Sequence, residues 1–406
     1  ISAHTIALTS AIDNITQPVF IDGFTQPNAT CGNLRIALDG TGAGVGVNGL
    51  AFVSGSVGST VRGLAIGNFN GNGIYIASNN VSVECSYLGT DVTGLADRGN
   101  GQSGVDISGS YARVTNCITI GNDNDGISIQ NASSATITGN LIGLAADGTT
   151  VIGNTWMGIR VVGNASYNII GGNTAAERNV ISGSVLYDGL NFQFGAHHNT
   201  AIGNYIGTDI TGTLDRGNNR WGMAGGDDAD NKQIGGITAA ERNVISGNDQ
   251  LGVLIMTGSD GNTVEGTYVA TDVTGTVALS PTLGVPVEHS SNTISNNLIS
   301  GNNGDGVLII GANAINNTVH GNYIGTDYTG SLSLPNGSRG IAIESSAFSN
   351  MIGGTNATLR NVISSNTEDG IFIGVATGNT IRGNYIGLNA SGVAVLGNGD
   401  NGVEIQ

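Results

Sequence analysis

Residues 188–232 carry most of the side chains in this sequence that could do chemistry. His197-His198, Asp215-Arg216, Arg220-Trp221 and Asp227-Asp228-Ala229-Asp230 all fall there. Paired carboxylates beside a histidine or arginine can act as general acid and base on a glycosidic bond. Asp227, Asp228, Asp230, His197, His198 and Arg220 are therefore the candidate catalytic groups. The competing reading makes the histidines an exposed corner and the acids a solvated loop, because nothing in the sequence sets the separation that catalysis needs. Trp156 and Trp221, the two tryptophans of the chain, are candidates for stacking on sugar rings.

A second set is repetitive. Gly-Thr-Asp-x-Thr-Gly segments place Asp91, Asp209, Asp272 and Asp327 on repeated loops, with Asn389 in a weaker copy. Loop carboxylates and carbonyls can hold calcium, although Asp-x-Thr-Gly is equally ordinary turn chemistry. Calcium is thus a candidate ligand, and no cofactor is required. Tyr87, Tyr205, Tyr268, Tyr323 and Tyr385 precede these loops; packing beneath the loop is the expectation, sugar stacking the alternative. Cys85 and Cys117 lie 32 residues apart where their repeats are offset by 31. They are the candidate disulfide pair, with stacked free thiols as the alternative.

The elements that position these groups are set by an internal repeat. Gly followed by apolar-x-apolar begins at Gly73, Gly104, Gly126, Gly158, Gly189, Gly222, Gly252, Gly284, Gly306, Gly340, Gly370 and Gly402, at intervals of 22 or 30–34 residues. Two more short alternating segments lie in each interval, as in Asn168-Ile169-Ile170 and Asn179-Val180-Ile181 between Gly158 and Gly189. Three short strands per interval describe one triangular coil of a solenoid. The 22-residue intervals are bare coils; the others carry the Tyr-Ile-Gly-Thr-Asp type of insertion or one running from Ile170-Gly171-Gly172 to Glu177-Arg178-Asn179. The latter recurs at 234–243 and 352–361, where Leu359 replaces the glutamate.

Each strand is too short to stand alone but can pair with its copies about 4.8 Å above and below. Asn140, Asn204, Asn322 and Asn384, with Asn179, Asn243 and Asn361, recur at one corner, where stacked amides can bond along the axis. The expected fold is all-β, a right-handed parallel β-helix of about fourteen three-strand coils in one domain over 1–406. Residues 1–72 are less regular and 73–406 regular. The region from Asp188 to Lys232 breaks the pattern, Met223-Ala224-Gly225-Gly226 replacing the apolar alternation, and such departures are where function concentrates.

Composition narrows the class. Gly supplies 68 of 406 residues, charged residues are 11% and the net charge is −17. The single lysine and scattered arginines cannot displace counterions from a phosphate backbone, which excludes nucleic-acid binding. No apolar run approaches a membrane span. No leader is visible, and the strand-like ends suggest that leader and flanks lie outside this sequence.

Asn-x-Ile-x-Gly-Asn and Gly-Ile-x-Ile repeats resemble those of the pectate-lyase-like superfamily. Ile21-Asp22-Gly23-Phe24-Thr25-Gln26-Pro27, Ile36-Ala37-Leu38-Asp39-Gly40 and Val61-Arg62-Gly63-Leu64-Ala65-Ile66 resemble large bacterial surface proteins built of β-helix repeats. The resemblance implies the fold over the whole chain; its enzymes, adhesins and structural members leave function open. The lyase pattern of Lys or Arg base with calcium carboxylates has one lysine to draw on. Of the polygalacturonase-like motifs only an Asp-Asp pair is present. The expectation is an extracellular or cell-surface structural and adhesive rod, its partners a polysaccharide or further copies stacked end to end. The alternative is a polysaccharide lyase, epimerase or glycosidase working in a groove.

Overall fold

Short β-branched segments, each unable to hold a strand alone, stack into three parallel sheets in the computed structural model, which describes residues 3–279 and 283–406. Sheet I has 13 strands, from Leu50–Phe52 to Val403–Ile405, and contains every Gly-led strand. Sheet II has 13, from Phe20–Asp22 to Thr380–Arg382. Sheet III has 14, from His4–Ala7 to Tyr385–Ile386. The chain visits I, II and III in turn and then climbs one coil, so all named pairings are parallel between equivalent strands, as in Val105↔Ile127 and Ile127↔Ile159. The molecule is a right-handed parallel β-helix, as the repeat implied. Among the described residues no helix is long and apolar enough to cross a membrane.

Inward residues form columns of like side chains. Ile107, Ile129, Val161 and Phe192 stack in register and are fully buried. The glycine that opens each sheet I strand is needed for close approach: a Cβ at Gly126 would stand 2.7 Å from the Gly158 carbonyl oxygen, and one at Gly158 2.6 Å from that of Gly189.

Asparagine ladders run along all three corners, not only the one foreseen. Between sheets II and III, Asn140, Asn179, Asn204 and Asn243 pass Nδ2 to Oδ1 at 2.9, 2.9 and 3.2 Å. Asn297, Asn322, Asn361 and Asn384 repeat this higher up. Between III and I, Asn302, Asn336, Asn366 and Asn398 do the same. Between I and II, Asn168 bonds Asn199, and Asn262 bonds Asn292.

The two insertion types lock together. Tyr205, Tyr268 and Tyr385 lie beneath their own loops, close to Gly212, Gly275 and Gly392. The arginine of the other insertion type covers each ring from the coil below: Arg178 over Tyr205 at 4.1 Å, Arg242 over Tyr268 at 4.0 Å and Arg360 over Tyr385 at 4.0 Å. The Asp-containing loops also bond to one another across the intervening coil, Ile210 N to Gly148 O at 3.0 Å and Val273 N to Gly212 O at 2.9 Å.

One expectation is corrected. Cys85 is bonded to Cys31, with Cα atoms 4.9 Å apart, and Cys117 is a buried free thiol. The mismatch of 32 against 31 is the reason. Asn116, not Cys117, is the register partner of Cys85, and one residue of slip turns a side chain to the other face. Cys117 therefore joins the core, where burial pushes its thiol up to about 12.

Candidate functional site

The candidate catalytic residues divide across sheet I. Arg220 stands before strand Trp221–Gly225 and the acids after it, roughly 20 Å along an extended chain. His197 and His198 lie at the corner between sheets I and II. Nδ1 of His197 is 2.8 Å from the Gly195 carbonyl oxygen, and the His198 amide donates to the Asp230 carbonyl at 3.0 Å. Asp227 and Asp228 are exposed, and the Asp230 carboxylate accepts from the Asp260 amide at 2.7 Å. Among the described residues no hydrogen bond joins these carboxylates to either imidazole, so the expected acid–base cluster with Arg220 is not assembled.

The break in the repeat has a packing cause. Gly225 pairs with Phe192 and Ile255 in an inward column but offers no side chain. Lys232 supplies the missing volume: its Cε and Nζ lie 2.6 Å from where a Gly225 Cβ would stand. The ammonium donates to the Ala229 carbonyl and sits 5.9 Å from the Phe192 ring. Burial lowers its pKa to about 7.

At the loops expected to bind calcium, Asp209 accepts from the Thr211 hydroxyl at 2.8 Å and from the amides of Thr213 and Leu214 at 3.1 and 3.0 Å. Burial opposes ionisation there, yet the bonds from Leu214, Thr211 and Thr213 hold its carboxyl below the usual range. Asp272 and Asp327 repeat the arrangement, and Asp91 bonds Thr93. Among the described residues no three acidic, histidine or cysteine side chains gather as a metal would require.

The outer face of sheet I is different. Its middle positions, the x of Gly-apolar-x-apolar, bring Tyr75, Asp106, Ser128, Arg160 and Asn191 into one row on successive coils. Burial raises the pKa of Asp106, and Gln130 donates to it at 3.1 Å. Beside it the buried Asp125 faces Arg160 at 3.8 Å, and burial pushes its carboxyl up to about 7. Asp125 also accepts from the Met157 amide at 3.3 Å. Asp188, Asp305 and Asp369 do the same one coil on from themselves, so this aspartate is a repeated corner brace.

Along the edge toward sheet III runs a rim of rings and cations. Trp156, 42% exposed, lies 5.6 Å from Tyr187. The Arg220 guanidinium covers Trp221 at 3.5 Å and is 6.0 Å from Tyr187. Trp221 is thereby shielded while Trp156 and Tyr187 remain reachable. Asp106, Arg160 and Tyr187 escaped the sequence reading because each is an isolated residue in its own repeat. Aligning the x positions would have put Asp106 and Arg160 in one row.

Neither a protein-family model nor a curated protein matches the sequence. Among solved structures, the Dettilon tailspike protein aligns over 93% of this chain with TM-score 0.47 and 14% identity; the chain spans 61% of the tailspike's length. A periplasmic alginate epimerase aligns over 86% of this chain and 77% of its own, with TM-score 0.45 and 14% identity. A PL6 alginate lyase solved with a trisaccharide aligns over 98% and 95%, with TM-score 0.43 and 9% identity. At these identities the likeness concerns architecture, and the three sheets and their register place this chain among the right-handed parallel β-helix repeat proteins.

Proposed function

We propose that the protein is an extracellular glycan-binding rod, the polysaccharide lying along sheet I against Trp156, Tyr187 and Arg220. The observation that carries this reading is the rim itself: an exposed indole, a half-buried phenol and a guanidinium held flat on Trp221. Aromatic faces suit the C–H faces of sugars, and an arginine fork suits a carboxylate or paired hydroxyls. Asp106 and Arg160, both half-buried, supply polar contacts on the floor beside it. Affinity electrophoresis in gels containing alginate, polygalacturonate, xyloglucan or hydroxyethyl cellulose tests it. Wild-type protein is retarded in at least one gel, and Trp156→Ala with Arg220→Ala restores free mobility. Free migration of the wild type in all four contradicts the proposal.

Catalysis is the second reading, favoured by the raised carboxyls of Asp106 and Asp125 next to Arg160 on the same face. Asp106 is the half-buried, reachable one and would act as the general acid. Release of unsaturated or reducing ends from a retained polysaccharide, lost in Asp106→Asn, would establish it. Retention without product in either protein leaves the rod as binder alone.

A further inference from the structure

Arginines form a row along the corner between sheets II and III. Each of the three long insertions ends in an arginine two residues before its sheet III strand, at Arg178, Arg242 and Arg360. Each reaches one coil up, where its guanidinium covers Tyr205, Tyr268 or Tyr385 at 4.0–4.1 Å. Its Nε donates to the carbonyl of the glycine two residues before that tyrosine, Gly203, Gly266 or Gly383, at 3.0–3.3 Å. Because inserted and ring-bearing coils alternate, successive rings stand two coils apart, roughly 10 Å.

The row is broken at one ring. Tyr323 lies between Tyr268 and Tyr385 in the alternation, but the coil below it is the bare one that begins at Gly284. Asn296 stands where the arginines stand, two residues before Leu298–Ile299, and its side chain is too short to cover the ring. Among the described residues no guanidinium reaches Tyr323 or the carbonyl of Gly321, the counterpart of Gly203. Tyr205 and Tyr268 are buried, whereas Tyr323 is half-buried and Asn296 exposed. The other bare coil, from Gly104, lies beneath Leu141, which offers no ring.

The groups around this gap are acceptors. Glu265 reaches up from the coil below. Its Oε1 accepts from Asn296 Nδ2 at 3.0 Å and from the Ser295 hydroxyl at 3.3 Å, and it makes no ion pair among the described residues. The Asn296 Oδ1 lies beside Gly321, 2.5 Å from where a Cβ would stand. His320 follows Ser295 in register, and burial lowers its pKa, so it is neutral at pH 7.5 and does not repel a cation. A carboxylate, two amide oxygens and a ring face together match a planar cation with several N–H donors better than a compact ammonium. We infer that the gap binds an arginine side chain presented by a segment of a partner protein. The guanidinium takes the place over Tyr323 that Arg178, Arg242 and Arg360 fill over their own rings. The insertions at 236–242 and 354–360, two coils below and two above, leave a slot the height of one insertion for that segment. The net charge of −17 draws a cationic segment to it. The inference does not rest on the glycan-binding reading.

The test is calorimetric titration of the whole chain at pH 7.5 with acetyl-Gly-Ile-Thr-Ala-Ala-Glu-Arg-amide, the sequence of residues 236–242. The same peptide ending in lysine and arginine amide alone are the controls. The variants are Tyr323→Leu, which copies the residue at 141, and Glu265→Gln. The wild type binds the arginine peptide at a single site and each control more weakly. Tyr323→Leu weakens the peptide roughly tenfold and Glu265→Gln about threefold. Glu265→Gln changes one half-buried surface side chain and carries the test by itself if the Tyr323→Leu chain does not fold. Four results would overturn the inference: no heat of binding with the arginine peptide at millimolar concentration, wild-type affinity in the variants, equal affinity for the lysine peptide, or equal affinity for arginine amide. The last would make the ligand a free guanidinium compound and not a partner segment.

Discussion

Lys232 stands where the neighbouring coils carry ladder asparagines, between Asn199 and Asn262, and its backbone amide keeps the ladder's bond, donating to Asn262 Oδ1 at 3.0 Å. Its alkyl stem replaces the side chain that Gly225 lacks, so the two positions form one packing unit. Lys232→Asn alone would leave a void in the Phe192–Ile255 column, and Gly225→Val alone would strike the lysine. Together they restore both column and ladder and remove a buried amine. We expect the double variant to be stabilised by on the order of 2 kcal/mol and each single variant to be destabilised, measured by urea unfolding. The pH dependence follows from the lowered lysine pKa of about 7 against an ordinary 10.5. A group depressed in this way opposes folding fully below the folded value, less as pH rises, and not at all above the unfolded value. The melting midpoint of the wild type should therefore gain on that of Lys232→Met as the pH rises from about 7 to about 10. A constant gap would show that the amine is not buried.

At the scale of elements, the corners hold the molecule together as much as the sheets do. Asn179 receives the backbone amide and side-chain Nδ2 of Asn140 and donates to the Ile137 carbonyl and Asn204. Asn179→Ala strands buried groups on the coils below and above it, and a loss of roughly 2–4 kcal/mol in urea unfolding is expected. A loss below about 0.5 kcal/mol would show that the ladder is decorative. Much of this level was legible in the sequence: strand positions, coil height and one asparagine ladder follow from the repeat, because identical layers demand identical residues. The other two ladders are hidden in the sequence because Ser184 and Lys232 interrupt their spacing. The disulfide was misassigned because Cys31 belongs to the irregular N-terminal coils, whose fold over the outside of the helix no periodicity describes. The rim is illegible for another reason. It consists of single residues from different coils, and their exposure appears only once the coils are stacked.

For the whole molecule, the three sheets make a rod of roughly 65 Å whose faces are unequal. Sheet III lies beneath two kinds of insertion cross-braced by arginine and tyrosine. Sheet I carries Asp106 and Arg160 on its outer face and the Trp156 rim along one edge. With a net charge of −17 and one lysine, the arginines at the rim are local exceptions on an acidic surface. An acidic polysaccharide would engage Arg220 there with a salt-dependent affinity. The two tryptophans of the chain, Trp156 and Trp221, are both part of this rim, so intrinsic fluorescence reports on it alone. The most direct measurement is the tryptophan emission of the native protein, titrated with each polysaccharide that retards it. The account predicts a saturable change in emission, lost in Arg220→Ala. Saturable retardation with no change in emission would contradict it and move the glycan site away from sheet I's aromatic edge.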